Sequence, residues 1–167
     1  MIFGPNFLLS KYRALISLSL LGLVLLVALF IGWSQRAFAS GSIIIDDKIK
    51  VAVEVASTAQ AREKGLSGTD RLETGRGMLF VFLRPDVYTF WMKDMNFPID
   101  ILWIRGEELV DMTTDIPVPV PGEELATYFP KYPVDKVLEV PAGFARANGL
   151  RTGMTVAAYI DSGQAAR

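Results

Sequence analysis

The sequence predicts a mainly β fold, a single compact β-sandwich or partly closed barrel with two short helices, preceded by one hydrophobic N-terminal helix. Three observations carry that expectation. Short apolar segments alternate with polar residues at period two, as Ile49, Val51, Val53 and Val55 do against Lys50, Ala52 and Glu54. Glycine, proline and aspartate interrupt these segments at short intervals. No regular strand–helix–strand alternation runs along the chain, which disfavours a doubly wound α/β sheet. With 167 residues, 51% of them apolar, the chain has material for one core once its N-terminal segment is set aside.

Two segments of unequal character follow, residues 1–39 and a globular part over 40–167. Residues 14–33 are uncharged and rich in Leu and Val, with Lys11 and Arg13 ahead of them and Ala37-Phe38-Ala39 behind. Small residues at 37 and 39 fit signal-peptidase cleavage before Ser40. As a helix rising about 1.5 Å per residue, the run reaches roughly 30 Å and also suffices for a membrane anchor. Cations on its N-terminal flank keep that end cytoplasmic. The globular part is therefore expected to be extracytoplasmic, periplasmic or secreted, free after cleavage or held to the inner membrane through residues 14–33.

Within the globular part, 42–46 and 48–55 read as a hairpin around Asp46-Asp47. Ser57-Thr58-Ala59-Gln60 has capping-box spacing and Gly65 suits a helix stop, giving a short helix over 58–64. Residues 78–82 are apolar on both faces, as in a central strand, and Arg84-Pro85-Asp86 turns the chain so that 87–92 returns antiparallel. A second hairpin pairs 99–104 with 108–112 through Arg105-Gly106-Glu107, which makes a β meander to this point. Five prolines between 116 and 134 deny ladder donors and predict a long loop. A strand over 136–140, a short helix over 141–148 stopped by Gly149, and a closing strand over 155–160 complete the chain.

Composition excludes several functions. Cysteine and histidine are absent, so Cys/His metal sites, thiol nucleophiles, disulfides and triads with an imidazole base are ruled out. Residues 40–167 hold 14 basic and 18 acidic side chains with no basic cluster, which gives no footprint for nucleic acid. No cofactor and no metal site are expected. Met92 and Met95, with Met78 and Met112 on nearby strands, are soft donors suited to Cu(I), but core packing explains such spacing as well.

Arg62 with Gly65-Leu66, Gly77-Met78-Leu79-Phe80, Phe90-Trp91-Met92-Lys93 with Pro98-Ile99-Asp100, Val137-Leu138-Glu139, Gly143 and Gly153 form one pattern. In these residues the chain resembles the family called domain of unknown function 192, over nearly all of 48–160. The resemblance implies a small β-rich, sandwich-like domain, often exported behind a signal or anchor segment, with no established activity or substrate. The chain departs from the pattern at Asp94-Met95, where Asn-Thr is usual, and at Ser67, where Met usually follows Gly-Leu.

The ionisable residues of that pattern stand in an apolar frame and must be paired, solvated or in use. Asp100 shares a strand face with Leu102 and Ile104, and Glu139 shares one with Val137. One reading is a structural network in which Lys93 or Arg62 partners these carboxylates. The other is a small polar pocket: Arg62 and Lys93 hold an anionic or hydroxylated ligand, Asp94, Asp100 and Glu139 accept hydrogen bonds, Trp91 offers a stacking face, and Tyr128 closes over the pocket or anchors its loop. The expected role is thus a non-enzymatic binding or interaction module for a small polar or anionic ligand or an envelope protein. The alternatives are an envelope hydrolase or carbohydrate-active enzyme using Asp/Glu acid–base chemistry, or a structural component of an envelope complex.

Overall fold

The computed structural model describes residues 39–161 and, apart from them, Gly22 alone. The expected N-terminal helix and the signal or anchor segment lie outside the described residues but for that glycine. The chain divides into two compact units, 1–37 and 38–167, and the second carries the fold that follows.

Nine strands and two short helices make up this unit: β1 (Ala39–Ile45), β2 (Ile49–Ala56), α1 (Ala59–Lys64), β3 (Arg76–Asp86), β4 (Phe90–Trp91), β5 (Ile99–Arg105), β6 (Glu108–Ile116), β7 (Thr127–Tyr128), β8 (Val134–Pro141), α2 (Phe144–Ala147) and β9 (Val156–Ile160). Seven strands form one sheet in the order β6-β5-β8-β3-β2-β1-β9, and β4 and β7 form a separate two-stranded ribbon. The expected hairpins are present. Asp46 and Asp47 both take positive φ (51° and 56°) in the three-residue connection from Ile45 to Ile49, where the Lys48 N–H donates to the Ile45 carbonyl at 3.1 Å.

Two expectations are corrected. The first part of the chain is no meander: β3 runs parallel to β2, after a crossover that contains α1, and its other neighbour is β8. Residues 87–92 do not return beside β3 either. Only Phe90 and Trp91 are extended, and they pair with Thr127 and Tyr128 of the proline-rich segment. The place beside β3 belongs to β8, which brings a far longer ladder of apolar residues to both faces.

Strand alternation divides the core in two. On one face Ile43, Val51, Val53, Leu79, Leu102, Leu138 and Val140 pack into an inner cluster around which the sheet curls. The edges meet only at one end, where Leu109 N–H donates to the Met154 carbonyl (3.0 Å) and Val156 N–H to the Glu107 carbonyl (2.8 Å). The barrel is therefore not closed. On the other face Met78, Phe80, Ile99, Ile101, Trp103 and Val137 are covered by α1, the 86–98 segment and the β4–β7 ribbon. Met92 and Met95 are buried in this outer layer as packing residues.

Candidate functional site

The outer layer leaves a cleft over β3 and β8. Thr58 caps α1, its hydroxyl accepting the Ala61 N–H at 3.1 Å, and Ala61 is buried against the sheet. This fixes Arg62 on the cleft's rim, where its guanidinium donates to the carbonyls of Ser57 (2.6 Å) and Val81 (3.0 Å). The same guanidinium lies 5.1 Å from the Phe82 ring centroid, and Phe82 stacks on Tyr88 at 3.6 Å, so cation and two rings form one wall. Phe80 and Phe90 meet edge to face at 4.9 Å behind it. Trp91, 51% exposed, stands at the mouth.

Glu139 lies on the floor. Its cross-strand neighbours are Met78 and Ile101, both buried and apolar, so no polar group approaches from the sheet. The residue is only 5% exposed; no described group bonds or pairs with its carboxyl, whose oxygens are not enclosed but reach the open space of the cleft. Burial pushes it up from 4.5 to about 8, so that it holds a proton at neutral pH. The open space above it is about 280 Å³.

Of the seven residues expected at the site, Arg62, Trp91 and Glu139 line this cleft. Lys93 and Asp94 do not; both are exposed on the turn beyond Trp91 and line a neighbouring surface depression. Asp94 takes positive φ (54°) there, and its carbonyl accepts the Gly68 N–H at 2.8 Å. Tyr128 pairs with Phe90 and is half-buried in the outer layer, so it anchors the long loop.

Asp100 is a correction. It is paired with Val140 on the inner face, whereas Glu139 is paired with Ile101 on the outer face. Fully buried, its carboxylate accepts from the N–H groups of Asp115 (2.8 Å), Gly143 (3.2 Å) and Ala145 (2.9 Å). It binds the end of β6 and the start of α2 to the sheet and partners neither Lys93 nor Arg62. Two carboxyls on opposite faces cannot act on one substrate, so an acid–base pair of Asp100 and Glu139 is lost.

The sequence reading missed the aromatic walls. Phe80 and Phe82 on β3, and Tyr88 and Phe90 ahead of and within β4, recur at period two, a signal that was present but attributable to core packing alone. It also missed Asp111, whose carboxylate accepts the Lys131 N–H at 3.0 Å and so ties the proline-rich segment to β6. Among the described residues no group of three or more acidic side chains converges as a metal site. Ser67, on the rim, spends its hydroxyl on the Lys93 carbonyl (2.8 Å), not on a base.

Fold and site together define a curled β-sheet domain with an aromatic cleft over a lone buried carboxyl. The chain belongs to the DUF192 family, described as an uncharacterized ACR, which matches residues 42–158. Among solved structures it is similar to a "putative transcription regulator" from Sinorhizobium meliloti 1021, with 26% identity, a TM-score of 0.65, and 73% of this chain and 95% of that one covered. It is also similar to a protein of unknown function from Novosphingobium aromaticivorans DSM 12444, with 25% identity, a TM-score of 0.62, and coverage of 72% and 84%. The comparison with curated proteins returns no match.

Proposed function

We propose that the protein is a non-enzymatic, extracytoplasmic binding module whose cleft over β3 and β8 takes one small ligand with a polar group. The observation that carries this reading is the solitary carboxyl of Glu139, buried, without a partner and facing open space between aromatic walls. No described group of the fold offsets the desolvation of such a carboxyl, which an apolar side chain in its place would avoid. A ligand group that bonds to it offsets that penalty, and the rings supply apolar contact.

Export is supported by the cationic flank and apolar run of residues 1–39, and fractionation of cells producing the full chain tests it. A regulator that grips DNA is not supported, since residues 40–167 carry 14 basic against 18 acidic side chains. The cleft is tested by screening small polar compounds against the full-length protein by thermal shift. Ligands that stabilise the wild type should lose that effect in Glu139→Gln and Trp91→Ala and keep it in Lys93→Ala. Equal stabilisation of all four proteins would move the site away from the cleft.

A further inference from the structure

The charge distribution around the cleft goes further and names a ligand class. Resting on the binding role proposed above, we propose that the ligand carries an alkylammonium group, seated between the Glu139 carboxyl and the Trp91 indole.

The chain's own cations near the cleft are already committed. Arg62 is bonded to the Ser57 and Val81 carbonyls and lies over Phe82, and the Lys64 ammonium donates to the Ser67 carbonyl. Neither forms an ion pair with Glu139. The floor therefore presents a protonated acid for which the described residues supply no counter-ion, so that it ionises only when a cation from outside joins it. Of the two cations expected to hold an anionic ligand, Arg62 is turned to backbone oxygens and Lys93 lies outside the cleft, so an anion would find no free cation among the described residues of its lining.

The walls suit a cation as well. Phe82 is already taken up by Arg62 and Tyr88, so this aromatic surface accepts a guanidinium. Trp91 has no ring or cation partner among the described residues, is half-exposed, and offers the side chain most attractive to ammonium groups. A space of about 280 Å³ admits a short aliphatic chain with its head group, the size of a lysine side chain or a small free amine.

Proton linkage gives the class a signature. Because burial holds the Glu139 proton up to about pH 8, an ammonium ion must expel it, and affinity rises with pH until the free carboxyl ionises. The other ionisable groups lining the cleft are Arg62, Glu63 and Lys64 of α1 and Tyr88 ahead of β4; β3 and β8 contribute Glu139 alone.

Three probes of equal chain length separate the possibilities: n-butylammonium, n-butanol and butyrate, titrated into the full-length protein in detergent while the Trp91 indole N–H resonance is followed. Butylammonium should bind at least about tenfold more tightly than the other two, tightening by up to about tenfold per unit between pH 6 and 8. Glu139→Gln should abolish the preference and the pH dependence while circular dichroism stays unchanged. Butanol or butyrate binding as well as butylammonium, with perturbations confined to the cleft, would overturn the cation class and leave the binding role standing. No perturbation by any probe would overturn the proposal, and a parallel failure of the compound screen would remove the binding role too.

Discussion

Asp100 and Glu139 sit one register step apart on neighbouring strands, yet their energetics are opposite because alternation sends them to opposite faces. Asp100 has three backbone donors and is part of the frame. Asp100→Ala would strand those N–H groups and should cost on the order of 3–5 kcal/mol in urea denaturation, with probe binding in the cleft retained by the fraction still folded. Glu139 has no donor, and its folded pKa of about 8 lies above the unfolded 4.5. The folded state therefore keeps a proton that the unfolded state has released, and stability falls as pH rises from about 4.5 to about 8, by at most ~1.4 kcal/mol per unit from this group. Glu139→Gln should remove that decline and unfold at higher urea than the wild type at pH 8.5; a parallel pH profile for the two proteins would contradict it. The sequence revealed that both carboxylates stand among apolar neighbours. It could not reveal which one the backbone satisfies, because the donors of Asp100 come from residues 115, 143 and 145, brought near only by the fold.

At the level of elements, local signals located what local forces build. The Asp-Asp hairpin, the short helix α1 and the β5–β6 hairpin follow from turn and cap chemistry, and the structure has each of them, although the cap of α1 is Thr58 and not the Ser57 of the expected capping box. The partner of β3 was not legible, because an apolar strand fits either neighbour and the choice depends on residues 134–141, some fifty positions onward by rough count. Gly77 records that choice: a Cβ there would meet the Glu139 carbonyl oxygen at 2.8 Å and Leu138 Cδ1 at 3.0 Å. Backbone cannot yield as a side-chain tip can, so Gly77→Ala should force β3 and β8 apart and cost about 2–3 kcal/mol by thermal or urea unfolding. Thr58→Ala should cost only about 1 kcal/mol, since it removes one capping bond from a six-residue helix. Because that helix carries Arg62, the same variant should loosen the cleft's rim and weaken ligand binding more than its small stability loss implies.

Over the whole molecule, the mainly β class was legible because period two is a local property, whereas the two-layered core was not. A strand apolar on both faces announces burial without saying what covers each side. Here the curl of the sheet covers one face, and short pieces from α1, residues 86–98 and the β4–β7 ribbon cover the other. That second layer has little structure of its own: α1 spans six residues and the ribbon two residues a side, too few to persist without the sheet. The sheet needs the layer equally, since β3, β5 and β8 send alternate residues into both clusters, Leu102 inward and Trp103 outward on adjacent positions. Neither cluster can dissolve without exposing strands that hold the other. Unfolding should then be one cooperative step. Trp103, fully buried in the outer layer with its indole N–H donating to the Thr113 hydroxyl at 2.9 Å, reports that layer once Trp33 and Trp91 are replaced by Phe. Its fluorescence and the far-ultraviolet circular dichroism of the sheet should share one urea midpoint, and an earlier fluorescence transition would mean that the layer forming the cleft melts by itself.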